Sequence, residues 1–298
     1  MRLLASLLAL LVAGPALARV KVVATLPDLA ALAAAVGGDA VEVTALVAPT
    51  QDPHYVDPRP SYVLALSQAD LLVVNGLELE AAWLGPLRLQ ARNPRVLAEP
   101  GYVDASTAVH RLGATATVDR SQGDIHPGGN PHFTHDPRAG AAIAALIAQR
   151  LAAVDPPHAA EYAQRAEALR GRLDTLAKAT RARFAALSAD QRRVVAYHES
   201  LAYLLDWLDL TRVATVEPKP GIPPDPAQTS RVLQAMKSTG VRVIVQEVYY
   251  PARIPDTLAR LVGGSVVRLP GGAAFADGET YEAHVAAIAE ALYAALAR

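Results

Sequence analysis

The feature that most constrains this chain is a rhythm broken once. Short runs rich in Val, Leu and Ile alternate with Ala-rich stretches of helical spacing, and the alternation stops between Asp155 and Gln191, where no strand signal occurs. Strand, helix, strand in repetition is the signature of βα units around a parallel sheet. Ahead of the break, strands are expected at 20–26, 41–47, 70–76 and 95–100, with helices near 28–37, 60–68 and 79–88. Beyond it, strands are expected at 192–198, 213–218, 241–247 and 265–270, with helices near 199–208, 226–239, 251–263 and 280–297. The break itself starts on Pro156 and Pro157, which a helix start tolerates. It reads as one helix of about 30 residues, about 45 Å long at about 1.5 Å per residue.

The expected fold is therefore α/β, with two lobes that each carry a roughly four-stranded parallel sheet flanked by helices, joined by a long rigid helix. At 298 residues the chain exceeds the usual size of one hydrophobic core, which agrees. The divisions expected are a leader over 1–18, an N-terminal lobe over 19–154, the connecting helix over 155–191 and a C-terminal lobe over 192–298. A spine of this kind limits opening and closing in a way that a flexible strand hinge does not.

Charge and leader narrow the function. Lys plus Arg (28) nearly equals Asp plus Glu (29), which leaves no net field to steer nucleic acid or an anionic membrane surface. Arg2, the apolar run Leu3 to Val12, the Gly14-Pro15 break and Ala16-Leu17-Ala18 form a secretory signal with cleavage expected after Ala18. An apolar run of about ten residues is too short for a bilayer that needs about 20. The sequence contains no Cys, so a lipid anchor next to the cleavage site, disulfides and thiolate metal ligands are all excluded. The expected product is a soluble periplasmic protein in which any metal is held by His, Asp, Glu or water.

In a parallel sheet, ligands gather beyond the carboxyl ends of the strands. His54, in "APTQDPHYVDPRPS", follows the strand that ends at Val47; His132, in "GGNPHFTHDP", follows the fourth strand after a long loop; His198 ends the first strand of the second half. A ligand bridging all three would lie in the cleft between the lobes. Three imidazoles suit Zn²⁺ at about 2.0–2.1 Å from each nitrogen. In the "DPH" and "NPH" contexts the preceding Pro fixes φ and stiffens the backbone that aims the ring. Loop histidines are also common as solvated or capping residues, and spacing alone leaves the two readings level.

"DPHYVDPRPS" (52–61), "GNPHFTHDP" (129–137), "AYHESLAYLLDWL" (196–208) and "EPKPGIPPDPAQ" (217–228) resemble, in order, the motifs of the ZnuA/TroA-like solute-binding proteins of zinc and manganese ABC importers. The resemblance runs from about Val20 to the C-terminus. It implies a two-lobed protein that holds its metal through His54, His132 and His198. The family usually adds an Asp after the last strand, but here "VVRLPGGAAFADG" has Pro270 at that place. Glu247, at the end of "VRVIVQE" and beside His198 in a 2-1-3-4 strand order, is the first candidate for the fourth ligand; Asp277 on a mobile loop and water are the others. His135 departs from the family's apolar residue and is not expected to share the ion with His132. His126 stands in the preceding loop, where a transient acquisition or exchange role is one of the readings open to it, and His158 and His284 are expected on helix surfaces.

A donor set of three imidazoles and at most one carboxylate favours Zn²⁺ over Mn²⁺, which prefers oxygen. The implied function is capture of Zn²⁺ as transported ligand and delivery to the membrane permease of an ABC importer. The chain is expected to act as a monomer that touches the membrane complex only peripherally, and not as an enzyme. It has neither a Walker A sequence nor a strand-linked G-x-G-x-x-G, so ATP hydrolysis belongs to another protein. Two other readings share the three-His site: an exported zinc hydrolase with Glu199 or Glu247 as base, and a metal-dependent adhesin or zinc chaperone.

Overall fold

The computed structural model describes residues 18–114, 126–219 and 221–298; apart from Ala18 the expected leader lies outside them. In the first half, β1 (Val20–Ala24), β2 (Val41–Ala45), β3 (Leu71–Val74) and β4 (Tyr102–Asp104) form a parallel sheet in the order β2-β1-β3-β4. In the second half, β5 (Arg193–Ala196), β6 (Thr211–Thr215), β7 (Val243–Glu247) and β8 (Ser265–Leu269) repeat the plan as β6-β5-β7-β8. Helices cover both faces, so the central strands are largely buried: every residue of β3 and of β7 is inside. That is why β3 and the Val243–Val245 part of β7 read as continuous apolar runs and not as alternations. In each sheet the chain reverses its direction of strand addition between the two central strands, and this opens a crevice at their carboxyl ends.

The helices of the first half are α1 (Pro27–Gly37), α2 (Pro60–Gln68), α3 (Leu84–Ala91) and α4 (Pro137–Val154); α6 (Ala202–Leu208), α7 (Pro226–Thr239), α8 (Arg253–Val262) and α9 (Tyr281–Leu296) belong to the second. Between them runs α5 (Ala159–Ala185), the helix that joins the lobes, 27 residues and about 40 Å long at about 1.5 Å per residue. Its buried residues Tyr162, Ala166, Leu169, Leu173, Ala177 and Phe184 recur every three to four positions and form one stripe. The stripe packs on α4 and α1 at one end and on α6 and α9 at the other. Arg172 and Arg183 pair with Glu282 and Glu290 of α9, and Trp207 Nε1 donates to the Ala177 carbonyl at 3.2 Å. One hydrophobic cluster consequently runs through both lobes, from Leu29 and Leu72 past Leu169 to Leu204 and Leu292.

Three elements differ from expectation, each for a local reason. The strand expected at 95–100 is instead a 3-10 turn at Pro94–Val96. Asn93 caps it by accepting from the Arg95 amide at 3.1 Å, and Pro94 has no N–H to give a ladder. The fourth strand follows at 102–104, with only Val103 buried. Helix α3 starts at Leu84 and not near 79, because Leu77 and Glu78 sit at positive φ and the Glu80 carboxylate turns back to accept from the Asn75 and Gly76 amides at 2.6 and 3.1 Å. The third is α4, which the strand and helix reading passed over. Asp136 caps it by accepting from the Arg138 amide, and Pro137 takes the first helical position.

Candidate metal centre

His54 stands on the loop after β2. The Asp52 carboxylate accepts from the His54 amide at 3.0 Å and engages ring Nδ1 at 2.8 Å, so one side chain fixes both backbone and ring. Trp83 Nε1 donates to the Pro53 carbonyl at 2.9 Å and ties this turn to the lobe. His132 follows a comparable turn in which Asn130 Oδ1 accepts from the His132 amide at 2.9 Å. The same Asn130 donates across to the Glu199 carbonyl at 2.8 Å, and Asn75, just past β3, donates to the Pro131 carbonyl at 2.9 Å. His198 comes directly after β5, with its Nδ1 on Glu217 Oε2 at 2.6 Å.

These rings converge. Centroid separations are 5.0 Å for His54 and His132, 5.5 Å for His132 and His198, and 5.9 Å for His54 and His198. One donor atom from each lies within 4.8 Å of the other two. All three are buried, and His132 Nε2 has no hydrogen-bond partner. Nδ1 of His54 and of His198 is committed to a carboxylate, which leaves Nε2 of each as the remaining donor, an arrangement that fixes tautomer and raises ligand basicity in metal sites. Asp52 and Glu217 are the functional residues that the sequence reading missed. Both lay inside quoted motifs, Asp52 two residues before His54 and Glu217 at the head of "EPKPGIPP".

The local charges follow from burial and partners. Burial drives His132 well below 6.5, helped by His54, His198 and His126, so its ring is neutral and its lone pair available. Burial also pushes His198 down, but the hydrogen bond and charge of Glu217 outweigh it and the net shift is upward. Asp52 is pushed up by burial and pulled further down by His54, ending below the usual carboxylate range.

Other residues singled out in the sequence fall as follows. Glu247 ends β7, beside β5 as the 2-1-3-4 order requires, and is fully buried. Its oxygens do not join the group of three; Oε1 lies 4.0 Å from His135 Nε2, and neither oxygen makes a well-formed hydrogen bond. Burial pushes its carboxyl up, opposed by the nearby Ser200 hydroxyl and by His198. Asp277 is exposed on a 3-10 turn. The His126 ring stands 5.5 Å from that of His54. His135 turns away from His132 toward Asp28 and His284. His158 engages Asp155 at 2.7 Å at the start of the long helix. His284 is no surface residue: α9 buries it against α1, at 1% exposure.

Among known proteins, a putative metal-binding protein of Treponema pallidum is 28% identical over 251 residues, covering 83% of this chain and 78% of that one. The manganese ABC transporter substrate-binding lipoprotein PsaA of Streptococcus mitis is 27% identical over 188 residues, 62% of this chain and 58% of its own length. In fold, the crystal structure of ZnuA superposes with a TM-score of 0.78 at 22% identity, covering 93% of this chain and 99% of that one. A mutant of the laminin-binding adhesin Lmb from Streptococcus agalactiae gives 0.76 at 24% identity, covering 93% and 99%. The family described as zinc-uptake complex component A, periplasmic, matches residues 22–295, and the chain belongs to this ZnuA family of metal-binding ABC transporter substrate-binding proteins, which are solute-binding proteins and not enzymes.

Proposed function

We propose that the protein captures Zn²⁺ in the cleft through Nε2 of His54, His132 and His198 and delivers it, in the periplasm, to the membrane permease of an ABC importer. One observation carries this: three buried imidazoles from two lobes meet within 4.8 Å, two of them aimed by carboxylates. Three neutral nitrogens favour Zn²⁺, whereas Mn²⁺ prefers a shell of oxygens. Relatives named for manganese, and MtsA of Streptococcus pyogenes named for iron, show that the family spans several metals, so the donor set and not membership argues for zinc.

Glu247 is the candidate fourth donor. Its carboxylate is buried close enough to attract His198 and lacks a well-formed hydrogen bond, and a side-chain rotation is needed to bring it onto the ion. Water takes the fourth position while Glu247 is turned away. The division of labour proposed is an N-terminal lobe over 19–154 supplying two imidazoles, a connecting helix over 155–191 and a C-terminal lobe over 192–298 supplying the third. Calorimetric titration with Zn²⁺ and with Mn²⁺ at pH 7.5 tests the reading. Tighter binding of Zn²⁺ is expected; equal or tighter binding of Mn²⁺ would overturn it.

A further inference from the structure

A second set of buried donors has no part in the centre just described. Asp28 lies in the first turn of α1, His135 ends the short turn Phe133–His135, and His284 lies near the start of α9. One donor atom from each falls within 4.8 Å of the others, and the residues are 1%, 4% and 1% exposed. The obvious alternative is a buried Asp–His ion pair, yet His284 Nε2 and Asp28 Oδ1 are 4.0 Å apart, beyond hydrogen-bond reach. Asp28 Oδ2, His135 Nδ1 and His284 Nε2 are each buried with no partner. Three buried polar atoms without partners, one on each residue of a close cluster, are a combination that folded proteins otherwise avoid.

The surroundings hold these groups in place. Asp28 Oδ1 accepts from the Ala273 amide at 2.7 Å, which fixes the carboxylate and leaves Oδ2 free. Glu279, which accepts from the Ala274 amide, lies 3.8 Å from His284 Nδ1, and Glu247 lies 4.0 Å from His135 Nε2. Burial, with help from His284 and against the pull of Asp28, brings His135 down to about 4. At neutral pH its ring is uncharged and offers a lone pair.

We propose that Asp28, His135 and His284 form a second divalent-cation site, separate from the one at His54, His132 and His198. Two imidazoles and a carboxylate are a donor set for Zn²⁺ or another borderline cation such as Fe²⁺. Bonds of about 2.0–2.1 Å in a tetrahedral shell space the donors about 3.3 Å apart, so the groups close in only slightly on the ion. An ion here ties α1 of the first lobe to α9 and to the turn that carries His132. It thereby stiffens the floor beside the first centre.

The test is Zn²⁺ stoichiometry by equilibrium dialysis and elemental analysis on the full chain, with anomalous diffraction at the zinc edge. Wild type is expected to hold two equivalents. The triple variant His54→Ala, His132→Ala, His198→Ala is expected to keep one, with an anomalous peak between Asp28, His135 and His284 and a rise in Tm on adding Zn²⁺. His135→Leu is expected to lose one equivalent. So is Asp28→Asn, whose amide oxygen still accepts from Ala273 and so spares the fold. The proposal is overturned if the triple variant holds no zinc, or if neither His135→Leu nor Asp28→Asn changes the stoichiometry. A single equivalent lost only in the triple variant overturns this second site alone, and one lost only in His135→Leu overturns the first.

Discussion

At the scale of single residues, the proposed centre depends on carboxylates that aim two of its three rings. Replacing His54, His132 or His198 singly by Ala should each weaken zinc binding at least about 10-fold, since loss of an outer partner of a ligand alone costs about 10- to 100-fold. Competition with a chelating dye measures this. Proton and metal compete for Nε2, so a His with raised pKa protonates first as pH falls. His198 is raised by Glu217. Zinc affinity should therefore begin to drop near or above pH 6.5, the unperturbed value, and continue falling as the medium is acidified. Glu217→Gln removes the charge that favours imidazolium and should move that drop to lower pH, while weakening binding at pH 7.5 because the ring is less firmly held. Titrations at pH 5, 6, 7 and 8 check both; a wild-type affinity that is level across this range contradicts the role of neutral imidazole. The convergence of His54, His132 and His198 was open to sequence because the first two follow a Pro in turns after strands and the third stands at the end of an apolar strand. The partners were harder to see. Asp52 is read from local Asx geometry, but Glu217 meets His198 only because β6 returns beside β5, and His284 looks like any helical His until α9 is laid against α1.

Among elements, the strands were readable where burial on both faces gave an apolar run, throughout β3 and over Val243–Val245 of β7, and unreadable where a short edge strand buries one residue, as in β4. Helices α2 and α7, each with Pro at its start, fall where the sequence puts them, whereas α3 is displaced by the Glu80 turn and α4 was missed although Pro137 opens it. Helix α4 shows what a close approach demands. Gly140 meets the ring of Tyr281, whose hydroxyl donates to the Thr134 and Asp136 carbonyls at 2.8 and 2.9 Å, and a Cβ at this glycine would come within 2.3 Å of the ring. Gly140→Ala should cost about 1–3 kcal/mol by overpacking, read as a lower urea midpoint. On the long helix, Phe184 is 1% exposed and meets Tyr293 edge-on at 5.3 Å, so Phe184→Ala should cost about 3–5 kcal/mol by the same measure. An unchanged midpoint in either variant contradicts the packing described.

For the whole molecule, the continuous core along α5 is what sets the two lobes at a fixed distance. A spine that shares one hydrophobic cluster with α1, α4, α6 and α9 resists hinge opening, because separation would expose that cluster. Small-angle scattering should accordingly give nearly the same radius of gyration with and without Zn²⁺; a change of several ångströms would contradict a rigid spine. The two-sheet plan was open to sequence because each half repeats the same βα order. The joining of both halves into one core was not, since it depends on which faces α5 and α9 present. The most direct measurement on the central claim is a zinc-soaked crystal structure with data at the zinc edge. One ion about 2.0–2.1 Å from Nε2 of each of His54, His132 and His198 is the predicted result. An ion elsewhere with any of these three rings turned away would contradict it.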